Sequence, residues 1–340
     1  MTANRILPQR KIVDAPGTLS GVARNGRRIK TNSGINRIGN PCYFRRMTKI
    51  TRRNLQYGIL AFVDLLGFSD RVARIETEED LIELDEDISF VQTQFEHQAP
   101  EDFIKESHRL MKKRVRAFSD CLVISVPIQS QLSRVQGAFD TLLGELDSFA
   151  LAQGMCVNRR IFLRGGGDIG FLFSRRASLI SPALVKSYNL ERAASAPLIA
   201  LTPELRTYLT EHPGRTAYSA DADPIAWSLM DAENLPNGES HCCLNYFGTC
   251  LRNVDPAFDA DDQRKLRAVE GEERDTMVSE AWQSAALAWA QSHGDAIRAG
   301  YQGAGTNGVR EKYIWLAGYH DREVEKFFGA AGDSVRIGSL

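Results

Sequence analysis

Gly58-Ile-Leu-Ala-Phe-Val-Asp64-Leu-Leu-Gly67-Phe-Ser69 is the stretch whose reading decides the fold. No side chain from Gly58 to Val63 is polar. That is the pattern of a strand covered on both faces, and Gly67 closes it with a turn. Asp64 interrupts the run at its end. A carboxylate there is costly to bury alone, so it must meet a cation, a metal ion or backbone donors. Capping of the following helix is the plainer alternative.

Working outward, residues from about 70 to 111 predict two or three helices. Glu78-Glu79-Asp80 opens one with acids in its first turn, and Pro100 opens another. Arg114-Val-Arg-Ala-Phe118 and Cys121-Leu-Val-Ile-Ser-Val126 predict two strands joined at Ser119-Asp120, a spacing short enough for a hairpin. Leu132, Val135, Phe139, Leu142, Leu146 and Phe149 predict an amphipathic helix over about 131–153, with Gly154 as its stop. A further strand spans about 160–173. The order predicts an α/β (α+β) protein with a ferredoxin-like βαββαβ core, short of one edge strand. Beyond it, Ser181-Pro182 opens a helix to about Ala194, because Ser suits the cap and Pro the first helical position. Leu198–Leu201 reads as a short strand. Residues 203–340 read as mostly helical, with a polar loop near 232–240 and a Gly-rich break at 302–308. The chain therefore divides into residues 1–50, a core over 55–202, and a helical extension over 203–340 packed on that core.

Composition bounds the class. The 340 residues are 43% hydrophobic and 25% charged, as in a soluble globular protein. No apolar run approaches the roughly 20 residues that span a bilayer, and no secretory signal opens the chain, so a cytoplasmic protein with reduced cysteines and no membrane partner is expected. The net charge of −1 hides an asymmetry, since residues 1–50 carry eleven Lys/Arg against the single acid Asp14. The arm has no helical or strand period. It reads as a disordered tail, with Met47 a candidate for the true start, ahead of a nucleic-acid-binding arm.

Asp120 gives Asp64 its meaning. It sits at the hairpin tip between Phe118 and Leu122, and in a βαββαβ core the hairpin lies beside the end of the first strand. Two carboxylates brought that close repel unless a divalent ion lies between them, and oxygen ligands favour Mg²⁺ or Mn²⁺. The turn at Gly67 lets the amides of Leu66, Gly67, Phe68 and Ser69 point at an anion. Two acids with metal beside a backbone cradle make a phosphoryl-transfer site.

Ala61-Phe-Val-Asp64-Leu-Leu-Gly67-Phe-Ser69, Phe118-Ser-Asp120, Leu163-Arg-Gly165 and Pro182-Ala-Leu-Val-Lys-Ser-Tyr188-Asn-Leu-Glu191 together resemble the class III nucleotide cyclases, nearest to the pyrimidine nucleotide cyclases of bacterial Pycsar antiphage systems. Lys312-Tyr-Ile-Trp-Leu-Ala-Gly-Tyr-His320 is similar to the C-terminal motif of those proteins. The resemblance implies that Asp64 and Asp120, with the carbonyl of Leu65, hold two Mn²⁺ or Mg²⁺ ions, and that Gly67, Phe68 and Ser69 contact the triphosphate of UTP. It implies cyclisation of UTP to 3′,5′-cyclic UMP and pyrophosphate, with cyclic CMP as the alternative product and an inactive nucleotide-binding module as the alternative role. It further implies a homodimer with sites at the interface and a separate effector that binds the cyclic nucleotide. Arg116, four residues before Asp120, stands where adenylyl cyclases carry an adenine-selecting lysine, and its planar fork could read a pyrimidine; an arginine idle on the strand surface is the plainer reading. After Pro182 the sequence departs from adenylyl cyclases. Val185 and Asn189 stand where those enzymes place asparagine and arginine, which leaves Lys186, Arg192 or Arg164 to supply positive charge, Lys186 being the catalytic candidate.

Other signals carry less. Gly165-Gly-Gly-Asp168 lies off the central hairpin, and Phe171-Leu-Phe continues its strand where a dinucleotide site needs a helix. Asp168 reads as a structural pair first and a third site acid second. His241-Cys242-Cys243 with Cys250 lacks zinc spacing. Trp282, Trp289 and Trp315 read as helix packing.

Overall fold

A computed structural model of the chain describes residues 55–96, 109–175 and 178–340. The basic arm, Met47 and Pro100 lie outside the described residues. The apolar run forms β1, Leu55–Leu65, at the centre of the sheet. After it come α1, Phe68–Val72, and α2, Glu78–Glu96. The hairpin follows as β2, Arg114–Phe118, and β3, Cys121–Pro127. Then come α3, Gln131–Gln136, α4, Ala138–Asn158, and β4, Leu163–Arg175. These four strands lie in the order β2-β3-β1-β4, each antiparallel to its neighbour. That is the complete ferredoxin-like sheet, so no edge strand is missing from it.

The sheet does not stop there. Past β4 come β5, Ser178–Ile180, and α5, Pro182–Ala193. Ser181 caps α5 by accepting the Ala183 amide, with Pro182 at the first position as expected. Then β6, Ile199–Leu201, pairs parallel with β4, followed by α6, Pro203–Glu211, and α7, Ile225–Ser228. Residues expected to be mostly helical also supply β7, Leu229–Ala232, and β8, His241–Leu244, which extend the same sheet as β4-β6-β8-β7. The runs are only four residues long, and their alternation is masked because both faces of β8 are buried. The remainder is helical: α8, Tyr246–Asn253, α9, Ala260–Ala268, α10, Glu272–Gly303, and α11, Asn307–Phe328, with the Gly-rich break falling between the last two.

The predicted helix over 131–153 is two helices, broken at Gly137. Nor does Gly154 end it. A Cβ on Gly154 would lie 2.1 Å from Cys250 Sγ, so the glycine serves close packing of α4 on α8, and the helix runs on to Asn158. The strand alternation of β1 splits the core. Ile59, Ala61, Val63 and Leu65 face α2 and α4, where Phe95 and Phe149 meet at 5.9 Å. Leu60 faces the other side, against Leu172 and Ala183.

Helix α5 covers that second side and positions the site. Its buried line is Ala183, Ser187 and Glu191, at helical spacing. Ser187 donates to the Leu60 carbonyl at 2.8 Å, and a Cβ on Gly166 would sit 2.2 Å from the Ser187 carbonyl oxygen. Only a residue without a side chain lets α5 lie this close. In the C-terminal helices, His320 Nε2 donates to the Val335 carbonyl, which leaves its Nδ1 to accept from His293 Nδ1; His293 Nε2 in turn accepts from Tyr246. Burial pushes both rings below the usual histidine range and keeps them neutral, which is what lets each offer one acceptor nitrogen to this relay. Trp289 stacks on His293, and Trp315 donates to the Glu233 carbonyl, so these tryptophans pack helices as expected.

Two outcomes follow from this packing. Gly166→Ala should lower unfolding free energy by about 1–3 kcal/mol in urea, because backbone must shift to admit the methyl group. Because the unfolded state binds protons that the buried histidines refuse, their contribution is full above about pH 6.5 and is lost below it, by up to about 1.4 kcal/mol per pH unit for each ring. Urea midpoints compared at neutral and mildly acidic pH read that loss; an unchanged midpoint would contradict the neutral relay.

Candidate active site

The register of the sheet lines up a row of polar side chains on the α5 side. Asp64 stands opposite Cys121 on β3 and opposite Arg164 on β4. Asp120 joins from the hairpin turn, where Ser119 takes a left-handed φ of 58° and the Asp120 carbonyl accepts the Leu65 amide at 3.2 Å. The turn is thereby tied to the end of β1. One donor atom each of Asp64, Asp120 and Cys121 lies within 4.8 Å of the others. Cys121 Sγ donates to Asp64 Oδ1 at 3.7 Å and to Asp120 Oδ1 at 3.5 Å.

Electrostatics follow from this crowding. Burial, then the Asp120 carboxylate, pushes the Asp64 carboxyl above its usual range, against the pull of Arg164. Burial and the two flanking acids push the Cys121 thiol up to about 12, so it is a neutral donor here. Arg164 Nη2 meets Asp64 Oδ2 at 3.2 Å, and its Nε meets Glu191 Oε1 at 2.5 Å. The Glu191 side chain is 3% exposed, and its carboxyl is raised by burial with Arg164 opposing. Lys312, half-buried on α11, is lowered by burial and then by the Arg164 charge, while Glu191 and Asp64 act to raise it. The cluster is three acids against two bases. Its carboxylate oxygens suit a hard divalent cation, and the raised Asp64 marks a place where a cation is wanted.

Each expected residue has a place. Asp64 and Asp120 are brought together. Gly67 adopts a φ of 79° and starts the turn into α1, bringing Phe68 and Ser69 round after it. Leu66 is a correction to the amide row: its N–H donates to the Phe162 carbonyl at 2.8 Å and is not available to an anion. Arg116 and Phe118 pair with Val123 and Cys121, which puts them on the same face as Asp64. They line a hollow of about 350 Å³ closed by Leu179 and Ile180 of β5 and Leu184 of α5. Lys186 is exposed and pairs with Glu204 at 2.5 Å, so within one chain Arg164 is the cation against Asp64. Asp168 is buried against the Thr202 hydroxyl, the structural pair.

Cys121, Glu191 and Lys312 join these residues in the structure without a signal in the sequence that by itself places them at the site. Cys121 is audible only as the neighbour of Asp120. Glu191 shares the i, i+4, i+8 line of Ala183 and Ser187, a signal that could have found it. Lys312 opens the C-terminal motif, but nothing in that motif says which surface it meets.

No protein-family model matches the chain, and no curated protein does. Among solved structures, the chain is similar to a bacterial light-regulated adenylyl cyclase, at 12% identity and a TM-score of 0.34, covering 56% of this chain and 91% of that one. It is similar to the adenylyl cyclase CyaB from P. aeruginosa, at 14% identity and 0.37, covering 56% and 93%. A third is the monomeric guanylyl cyclase domain of the RhoGC fusion protein from the aquatic fungus Blastocladiella emersonii, at 11% and 0.34, covering 56% and 94%. Likenesses this distant add nothing to the reading of the site. No helix among the described residues is long and apolar enough to cross a membrane.

If the carboxylates form a cation site, Asp64→Asn should weaken Mn²⁺ binding by at least about tenfold, or about 1.4 kcal/mol. The same change removes like-charge repulsion, so the urea midpoint should stay level or rise. Titration calorimetry and urea unfolding separate the two effects. Unchanged Mn²⁺ affinity would exclude the site.

Proposed function

We propose that this protein is a nucleotide cyclase that converts UTP to 3′,5′-cyclic UMP and pyrophosphate. The observation that carries the reading is the meeting of Asp64 and Asp120, 56 residues apart in the chain, at the end of the central strand beside a left-handed glycine turn. The choice of UTP over CTP, and a role in antiphage signalling through a separate effector that binds the cyclic nucleotide, come from the resemblance of the sequence motifs.

In this reading Asp64, Asp120 and the Leu65 carbonyl would hold two Mn²⁺ or Mg²⁺ ions, which when bound acidify the ribose 3′-hydroxyl and offset phosphate charge. The chain's own groups do the positioning. The 3′-oxygen gives its proton to solvent water and bonds to the α-phosphorus as the bond from that phosphorus to the α,β-bridging oxygen breaks, releasing pyrophosphate. Arg164, clamped by Glu191, is the cation placed to meet the charge that develops on the phosphates. Gly67, Phe68 and Ser69 would follow the triphosphate round the turn. Arg116 would read the pyrimidine carbonyls from the hollow it lines on the Asp64 face. Phe118, Ile180, Val185 and Tyr188 are exposed apolar residues on β2, β5 and α5, and a second copy covering them would make the homodimer, with Lys186 offered to the partner's phosphates.

The test is to incubate the protein with Mn²⁺ and each of the four ribonucleoside triphosphates, separating the products. Cyclic UMP is the expected product. Asp64→Ala and Asp120→Ala should abolish turnover, and Arg164→Ala should lower it about a hundredfold or more. Cyclic CMP instead would move the base preference. No cyclic product from any nucleotide would refute the enzyme and leave a nucleotide-binding module.

A further inference from the structure

A second basic centre lies outside the carboxylate cluster. We propose that the cleft between the turn after β1 and the α10–α11 turn is a binding site for a small phosphate-bearing anion, held by Arg74 and Arg160. The inference goes beyond the cyclase reading and does not rest on it.

The cleft measures about 250 Å³. Pockets for drug-sized ligands run to roughly 300–1,000 Å³, so this one suits a small anion. Arg71, Arg74 and Arg160 line it against one carboxylate, Asp70, and none of Asp64, Asp120, Cys121, Arg164 or Glu191 does. Arg71 is committed to Asp87 at 2.7 Å. Arg74 donates its Nε to the Asp70 backbone carbonyl at 3.0 Å, which steadies the side chain and leaves its two terminal nitrogens without an acceptor among the described residues. Arg160 makes no side-chain hydrogen bond, and no ion pair within 4.0 Å, among the described residues. Gly67, Gly303 and Gly305 also line the cleft, and a Cβ on any of them would meet nothing within 4 Å. The space between the two turns is open, not filled by packing.

Arg160 carries the argument furthest. It follows α4, whose end forms a Schellman motif: the Arg160 amide donates to the Val157 carbonyl at 2.7 Å, and the Ile161 amide donates to the Cys156 carbonyl at 3.0 Å. Such a motif places a left-handed residue just past the helix, usually glycine, because a Cβ is strained there. Here that residue is Arg160, with a φ of 61°. Folding alone would favour glycine. An arginine kept in a strained position, on the wall of an open cleft and without a carboxylate partner, points to a ligand. A cation for the carbonyl end of α4 is the plainer reason, yet Arg159 beside it already supplies one. Guanidinium suits phosphate, since its planar fork donates two parallel hydrogen bonds and it stays charged. Arg74 comes from the segment after α1 and Arg160 from the joint between α4 and β4, so an anion held by both would tie the two together.

The experiment measures binding apart from turnover. Pyrophosphate is titrated into the full chain by calorimetry with EDTA present, so that the carboxylates hold no metal, for the natural protein, Arg74→Gln, Arg160→Gly and Asp64→Asn, with urea unfolding of each. The natural protein should bind one equivalent. Arg74→Gln and Arg160→Gly should each weaken that binding about tenfold, as for a lost charge-assisted contact. The Arg160→Gly urea midpoint should stay level or rise, because glycine relieves the left-handed φ, and this separates a lost contact from a lost fold. Asp64→Asn should bind at least as tightly as the natural protein. Natural affinity in either arginine variant would overturn the proposal, as would no binding by the natural protein or weakened binding by Asp64→Asn. A lowered Arg160→Gly midpoint would assign Arg160 to capping α4 and overturn it too. Addition of UTP identifies the source of the phosphate: displaced pyrophosphate marks the terminal phosphates of a bound nucleotide, undisturbed pyrophosphate a separate ligand, and the site stands in both cases. A protein that binds pyrophosphate here yet cyclises no nucleotide fails the cyclase reading alone.

Discussion

Everything at this site depends on holding two carboxylates, Asp64 and Asp120, closer than they would choose. At separations within 4.8 Å two full charges repel by about 3.5 kcal/mol or more at an effective dielectric constant near 20. The backbone enforces the approach. Seven residue pairs tie β1 to β3, from Gly58 to Asp64, and the Leu65 amide holds the Asp120 carbonyl. Sheet hydrogen bonds cannot relax by rotating a side chain, so the strain is relieved electrostatically: Asp64 is raised above its usual range, Cys121 stays a thiol between the acids, and Arg164 leans on Asp64.

Arg164 in turn needs an anchor, and this explains the shape of the α5 side of the sheet. Glu191 reaches Arg164 only because α5 lies low over β4, and it lies low because Gly166 offers no side chain under Ser187. One missing methyl group thus couples helix packing to the charge beside Asp64. Within the Gly165-Gly-Gly run, a poor match to any nucleotide motif, Gly166 has its physical reason in this contact, while Gly165 lies against the Phe62 carbonyl and Gly167 against Leu201.

The region beyond residue 202 is not an appendage in this architecture. Strands β7 and β8 lengthen the sheet, Gly154 lets α8 seat on α4, and the α10–α11 turn abuts the turn after β1. The histidine relay among α8, α10 and α11 fixes these helices to one another and to the segment at Val335. Rigid seating of α11 is what gives the α10–α11 turn a defined place.

Much of this was legible before any coordinates. An apolar run that ends in an aspartate marked β1 and Asp64, a short polar joint between two apolar runs marked the hairpin and Asp120, and Ser181-Pro182 marked the start of α5. These are local signals, written in neighbouring residues and read by period and capping. The four-residue strands β7 and β8 escaped because they are too short to show a period and because burial on both faces of β8 removes alternation there, and Gly154 misled because a glycine can end a helix or admit a neighbour. The sequence by itself determined the element order and the two acids. Only tertiary structure decided that Arg164 stands opposite Asp64, that Glu191 grips it, and that the α10–α11 turn abuts the turn after β1, because those are long-range contacts, and the distances in them are set by how the sheet and helices pack.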